Sequence, residues 1–337
     1  MSKVTIKSDE FEAALAQNLQ MLRPRLPSKS SNRRRHIICL GESHGSHLFA
    51  LRSDVLPATG ALLLRLPEFG DHDVLIDPGW GTIVSSKRLN VSVAGVKTIL
   101  VSHCHLDHIG DLHPLLLTLS LAGKRPVVVG NSTSIKGSRG QPSILPQYFR
   151  NLCEKIIVAR PQQLVRLGPI TVLPFATAHR ENLGRLGQSL GYVVAIRQKQ
   201  PTRIGIVTDG PLGSLPESVL SRLRKCGDLV VNIGTISTLP NSPSHSKVFD
   251  NALCFHGLEL FLRKLSAKPH HVRRISVTHL GAELLEIRAR SLKRLLARTE
   301  SKDLLVLIEA NLRSMVRATL GSSVKTNILR EGDKLEV

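Results

Sequence analysis

The stretch ILVSHCHLDHIGDL, residues 99–112, places His103, His105, Asp107 and His108 within six positions, between two apolar runs. Alternate residues of an extended segment share a face, so His103, His105 and Asp107 are expected to point the same way from the end of the KTILVS strand. His108 follows where the chain turns into a helix. One short loop then offers two imidazoles to one cation, and a carboxylate with a further imidazole to a second. Neutral imidazole and carboxylate suit zinc, with manganese or iron as alternatives. With 14 His and 12 Asp in 337 residues, an HxHxDH pattern arises by chance in about one chain in a thousand. Cys104 lies inside the cluster, but alternation turns its side chain away from its two His neighbours.

Short apolar strands alternate with longer segments on both sides of this motif. HIICLGES, GALLLRL, DVLIDPG and KTILVSH come first, then a helix-like IGDLHPLLLTLSLAG and PVVVG. A second set comprises IIVA, ITVLPFAT, GYVVAI, RIGIVTDG, DLVVNIG, RISVTHL and LLVLIEA, with helical candidates at 215–225, 250–266 and 281–298. Strands with helices between them predict an α/β protein whose sheets are covered by helices. No internal repeat stands out.

Upstream, Ser8 followed by Asp9 and Glu10 reads as a helix start leading into FEAALAQNLQML. RPRLPSKSSNRRRH follows as a Pro- and Ser-containing basic arm. The chain thus divides into an N-terminal helix and arm, 1–36, and one large domain, 37–337. No apolar run approaches the roughly 18 to 20 residues that span a bilayer, and the opening MSKVTIKSDEFEAAL lacks the apolar core of a secretory signal. Five scattered cysteines without a CxxC pair argue for reduced thiols rather than a disulfide framework. A soluble cytoplasmic protein without a membrane partner is expected; whether it forms a homo-oligomer is left open.

The motif HCHLDH resembles the signature of the metallo-β-lactamase superfamily. That resemblance asks for further residues at strand ends, and the chain supplies them in order: Asp77 in DVLIDPG, His179 in LPFATAHRENLG, Asp209 in RIGIVTDG and His279 in RISVTHLGAE. The match runs over roughly residues 37–310. It implies a four-layer αββα sandwich. It also implies two divalent metal ions, one held by His103, His105 and His179, the other by Asp107, His108 and His279, with Asp209 shared. Asp77 would support the site without holding metal. Two such ions about 3.5 to 4 Å apart bind a hydroxide and polarise the bond it attacks, so Asp107 counts among the catalytic residues as well as the ligands, and a hydrolase is implied.

The substrate must come from local features, because this superfamily cleaves β-lactams, thioesters, lactones and phosphodiesters. AHRENLGRLGQSLGYVVAI and ISVTHLGAE are similar to segments of the tRNA 3′-end-processing endonuclease and its phosphodiesterase relatives. The HEAT-type motif of those nucleases is absent, and DLVVNIGTIS stands there instead. His256, in NALCFHGLELF, is then the candidate general acid or phosphate contact. His44 and His47, in LGESHGSHLFA, lie in a loop that in this family opens towards the site, and His44 is a candidate for substrate binding.

The 46 Lys and Arg against 26 Asp and Glu give a net charge of +20, which favours a nucleic-acid or other phosphate-containing partner. Basic residues are densest from 263 to 298: Arg263, Lys264, Lys268, Arg273, Arg274, Arg288, Arg290, Lys293, Arg294 and Arg298 meet only Glu283 and Glu286 in that run. Because the run flanks His279, Arg288, Arg290 and Arg294 are candidates for a phosphate track leading to the metals. Only 11 aromatic residues occur in the chain, so backbone contacts would dominate over base stacking. The expectation is a metal-dependent phosphodiesterase acting on nucleic acid or a nucleotide. The alternatives are a hydrolase of a small ester, lactone or thioester, and a non-catalytic nucleic-acid-binding protein with a structural metal site.

Overall fold

The computed structural model describes residues 34–42, 58–138, 142–179, 189–198, 201–233, 255–279 and 303–337, with backbone alone for 255, 256 and 303–308. The expected N-terminal helix, most of the basic arm, and the helical candidate at 281–298 lie outside the described residues.

The apolar runs form two seven-stranded sheets. The first is built from β1 (His36–Gly41), β2 (Ala61–Arg65), β3 (Asp73–Ile76), β4 (Val96–Val101), β5 (Val127–Gly130) and β6 (Lys155–Val158). The second is built from β7 (Val165–Leu167), β8 (Ile170–Ala176), β9 (Leu190–Ile196), β10 (Thr202–Val207), β11 (Asp228–Asn232) and β12 (Arg274–Thr278). The tail, which the family resemblance left unaccounted for, completes both: β13 (Lys325–Ile328) pairs with β12 and β14 (Lys334–Glu336) with β1. Strand orders are β14-β1-β2-β3-β4-β5-β6 and β13-β12-β11-β10-β9-β8-β7.

Each sheet contains three antiparallel pairings followed by three parallel ones, β3 to β6 in the first and β10 to β13 in the second being parallel. The two halves therefore repeat one plan, which no repeated wording in the sequence announces. Parallel strands covered on both faces read as continuous apolar runs, which explains why KTILV, PVVVG and DLVV carry little alternation.

Three cores follow from the layering. Leu62, Leu64 and Leu100 of the first sheet meet Val172, Val194 and Ile206 of the second in the central layer. Tyr192 lies fully buried there, and its hydroxyl donates to the Val101 carbonyl at 2.6 Å, tying the sheets together. On one outer face the helix Leu112–Leu121 sets Leu112, Leu115, Leu116 and Leu119 against the first sheet. Across the other face, helices Glu217–Leu223, Phe255–Ser266 and Asp303–Leu320 cover the second sheet. The architecture is the expected αββα sandwich. No helix among the described residues is long and apolar enough to cross a membrane.

Two sequence expectations fail here. LLVLIEA, expected as a strand, lies in the helix Asp303–Leu320. A short apolar run fits a strand or a buried helix equally, and Leu312, Val316 and Leu320, spaced four apart and buried in one core, show that the helical period prevails. The described part of the basic run is also misplaced. Arg273 and Arg274 sit at the amino end of β12 and pair with Asp228, at 3.5 and 3.2 Å, whereas His279 follows its carboxyl end. Lys268 pairs with Glu217 at 2.8 Å and Arg263 with Glu259 at 2.6 Å. Acids remote in sequence thus meet residues that seemed to face only Glu283 and Glu286, and nearness along the chain to His279 is not nearness in space.

Candidate metal centre

Every family-implied site residue follows the carboxyl end of a strand. Asp77 ends β3, the motif ends β4, and His179, Asp209 and His279 follow β8, β10 and β12. Antiparallel pairing of β9 with both β8 and β10 brings those carboxyl ends to one edge, the position that open α/β sheets use for ligands.

The motif itself is not extended throughout. His103 and His105 lie on extended chain, but a short helix, Leu106–Ile109, begins with His105 as its N-cap. Asp107 therefore leaves the face shared by the first two histidines, and the helical turn places it with His108. Cys104, half-buried, packs against the outer core of the first sheet, away from the two histidines as alternation predicted.

Two groups of donors result: His103, His105 and His179 form one, and Asp107, His108, Asp209 and His279 the other. Within each, one ligand atom per residue lies within 4.8 Å of the others. His103 Nε2 is 3.0 Å and His179 Nε2 3.2 Å from His105 Nδ1. In the second group His108 Nε2 lies 3.5 Å from Asp107 Oδ2 and 3.4 Å from Asp209 Oδ2, with His279 Nε2 at 3.3 and 3.5 Å from the same two oxygens.

The two groups differ electrostatically. Burial holds His103 well below the ordinary histidine range, helped by the neighbouring histidines, and it lowers His179 to about 4. Both rings are neutral at pH 7 and present lone pairs. In the second group burial works against charge on the histidines, yet the carboxylates prevail. Asp107, Asp209 and Asp77 hold His108 well above the usual range, and Asp209 with Asp107 raises His279 to about 9. Burial would raise Asp209, but His279 and His108 hold it well below the usual carboxylate range. One group offers converging lone pairs that cannot all be satisfied by ring protons; the other gathers protons to balance two buried carboxylates. A divalent cation answers both demands, and nitrogen and carboxylate donors fit zinc, manganese or iron.

A hydrogen-bonded frame fixes these donors. Asp77 Oδ1 and Oδ2 accept from the backbone N–H and hydroxyl of Ser102, each at 2.7 Å, and Oδ2 also accepts from His108 Nδ1 at 2.9 Å. With its own hydrogen given to Asp77, the Ser102 hydroxyl accepts from His103 Nδ1 at 2.9 Å. Asn232 Nδ2 donates to Asp209 Oδ1 at 3.0 Å, and the Ser189 hydroxyl accepts from the His179 backbone N–H at 3.0 Å. Sequence reasoning missed Ser102, Asn232 and Ser189; Ser102 directly precedes His103 and Asn232 ends β11, positions that are their only sequence signal.

Backbone strain collects at the same edge. Of five non-glycine residues with positive φ among the described residues, Asp77 at 50°, Ala178 at 58° and His279 at 62° lie in or beside the site. Close approach also demands glycine: a Cβ on Gly79 would fall 2.0 Å from the Asp107 carbonyl oxygen, and one on Gly60 2.6 Å from His279 Nδ1. His103, His108 and His279 are fully buried, whereas His105 and His179 are partly exposed, so the centre opens to solvent on the three-histidine side.

His44, His47, Arg288, Arg290 and Arg294 lie outside the described residues, as does the side chain of His256, whose backbone is in the first turn of the helix Phe255–Ser266.

The fold and the strand-end site are similar to those of the metallo-β-lactamase superfamily. The family model for that superfamily matches residues 61–129. Ribonuclease Z of Clostridium kluyveri is 40% identical over 87 residues, 25% of this chain and 29% of that protein. The metallo-β-lactamase fold protein YhfI of Bacillus subtilis superposes with a TM-score of 0.59 at 17% identity, covering 90% of this chain and 100% of that one. Human tRNase Z, short form, does so with a TM-score of 0.55 at 13% identity, over 90% and 99%. The matches span less than half the length of the curated relatives.

Proposed function

We propose that this chain is a metal-dependent hydrolase, most specifically a phosphodiesterase acting on nucleic acid or a nucleotide. The observation that carries the reading is the pairing of a three-histidine group with a mixed carboxylate and imidazole group, Asp107–His108–Asp209–His279, at one sheet edge. His103, His105 and His179 would hold one divalent cation, and Asp107, His108 and His279 a second, with Asp209 shared. Zinc is the first choice and manganese or iron the others. Bound there, such cations supply Lewis-acid polarisation of the scissile bond and acidify a water.

The protein's own contribution is orientation. Asp77 holds the Nδ1 proton of His108, and Ser102 holds that of His103, so both rings turn their Nε2 atoms inward. Asn232 keeps one Asp209 oxygen engaged, leaving the other for the centre. Similarity to ribonuclease Z over 87 residues supports a phosphodiester substrate, and the +20 charge supports a polyanionic one. A proton for the leaving group from His256, and phosphate contacts from His44, Arg288, Arg290 and Arg294, complete the proposal, with residues 1–36 as an arm outside the catalytic domain.

The test is turnover. Protein loaded separately with zinc, manganese or iron is assayed on bis-p-nitrophenyl phosphate and on a panel of lactones and thioesters. Phosphodiester hydrolysis abolished by chelator is expected. Turnover confined to the lactones or thioesters would assign a small-ester hydrolase, and none at all would leave a nucleic-acid-binding protein with a structural metal site.

A further inference from the structure

The two sheets are unequally covered on their outer faces. On the first, Ile83 and Leu89, in and just after the helix Thr82–Arg88, pack with Ile38 and Leu40 of β1, so the antiparallel half is roofed. On the second, the outer core reaches only as far as Val193 of β9 and Leu173 of β8. Beyond them lies a groove of about 490 Å³, lined almost wholly from β7 to β10 and their connections, with Arg222 reaching it from the helix Glu217–Leu223. Its size falls within the range of about 300 to 1,000 Å³ typical of ligand sites.

The floor is aliphatic, with Leu164, Leu173 and Ala195 on it, and Leu164 is 50% exposed. Around it stand Arg166, Arg197, Arg203 and Arg222, and no carboxylate among the described residues lines the groove. The Arg197 guanidinium donates to the Gly168 carbonyl. The other three make no ion pair among the described residues, whereas Arg224, Arg273 and Arg274 in the same half are paired. Arg203 is the second residue of β10, whose opposite end leads to Asp209, and Arg197 follows the far end of β9. The groove is therefore separate from the candidate metal centre and independent of the function proposed for it.

We propose that this groove docks an acidic amphipathic peptide segment of a partner protein, one bulky apolar side chain on the aliphatic floor and its neighbouring carboxylates on the arginine rim. A buried apolar anchor ringed by charge is the usual energetic plan of such interfaces, and guanidinium groups match carboxylates two bonds at a time. Nucleic acid fits less well, because its phosphates make no use of an aliphatic floor and the described lining of the groove has no aromatic ring on which a base could stack.

The probe is a fluorescein-labelled twelve-residue peptide with a single central phenylalanine flanked by glutamates, beside the same peptide with that phenylalanine replaced by serine. Saturable binding to the full chain is expected, weakened about tenfold or more by the serine peptide and again by Arg166→Glu with Arg203→Glu. Arg263→Glu with Arg313→Glu, the same charge change on exposed helix faces, should alter binding less than about twofold. Absence of saturable binding below about 1 mM, equal binding of the two peptides, or equal losses from both variant pairs would overturn the proposal. An oligouridylate that loses affinity in parallel with the Arg166 and Arg203 changes would also overturn it, assigning the groove to nucleic acid instead.

Discussion

Asp77 and Ser102 are joined by two hydrogen bonds of 2.7 Å, one from the serine backbone and one from its hydroxyl, across the adjacent ends of β3 and β4. Through this pair a single carboxylate orients both donor groups: directly on His108, and through Ser102 on His103. Removing such outer partners typically costs 10- to 100-fold in metal affinity, as an order of magnitude. Asp77→Ala is expected to weaken zinc binding by about that much in a chelator competition, with activity partly restored by excess metal. Ser102→Ala should weaken it by about tenfold. Unchanged affinity in both variants would show that the rings hold their orientation without this pair.

Metal content tests the two groups themselves. Seven donors exceed what one tetrahedral zinc uses, so elemental analysis of protein prepared without chelator should give about two ions per chain. Asp209→Ala should lower turnover by about a hundredfold or more while circular dichroism stays that of the parent. One ion or none after reconstitution, or full turnover in the variant, would sink the two-cation reading.

Proton linkage in the metal-free protein should give a stability maximum. His279 titrates at about 9 in the folded chain, against an ordinary value near about 6.5. Its stabilisation is complete below about 6.5 and is lost as pH rises through about 9, amounting to about 3 kcal/mol for this shift. His179 titrates at about 4, so its contribution is present above about 6.5 and is lost as pH falls towards 4. Urea midpoints in EDTA should therefore peak near pH 6.5 and decline on both sides. With zinc bound, a cation replaces the proton near His279 and the alkaline decline should vanish. Equal midpoints at pH 6.5 and 9 in EDTA would contradict the charge balance drawn for the second group.

A tighter steric test concerns Gly60. The missing side chain leaves room for the fully buried His279, and a methyl group there would fall 2.6 Å from its Nδ1. Gly60→Ala should displace the ring and destabilise the fold by about 1 to 3 kcal/mol, with weaker zinc binding measured alongside. A variant matching the parent in both would mean that β2 yields and His279 does not.

What the sequence disclosed follows from how local each feature is. The HxHxDH cluster stood out by its own spacing, whereas Asp77, His179, Asp209 and His279, like the αββα plan, were expected only through the family resemblance that this cluster carries. Ser102 and Asn232 were not readable as site residues, since a serine or asparagine at a strand end is common and only the fold sets them beside Asp77 and Asp209. The helix Asp303–Leu320 began with an apolar run that hid its period, and β13 and β14 are short strands whose partners lie far off in the chain. Pairing of Lys268 with Glu217 and of Arg274 with Asp228 likewise depends on contacts no local pattern encodes.

That last point divides the basic run into two parts with different expected responses to salt. Arg263, Lys268, Arg273 and Arg274 are engaged by carboxylates, and the latter two lie at the sheet end remote from His279. Neutralising Arg263, Lys268 and Arg273 together should leave the dependence of log K on log salt unchanged for RNA or DNA binding. Arg288, Arg290 and Arg294 belong to the proposed phosphate track, and each phosphate they contact should contribute about 0.7 to 0.9 to that slope through counterion release. Their joint neutralisation should flatten it by about two to three units. Hydrolysis of bis-p-nitrophenyl phosphate should stay nearly unchanged, because such a small substrate does not reach beyond the centre. Both quantities are measured on the same preparations. An unaltered slope in the second variant would leave the small-ester hydrolase as the stronger reading, and a flattened slope in the first would return the phosphate track to the ion-paired end of the sheet.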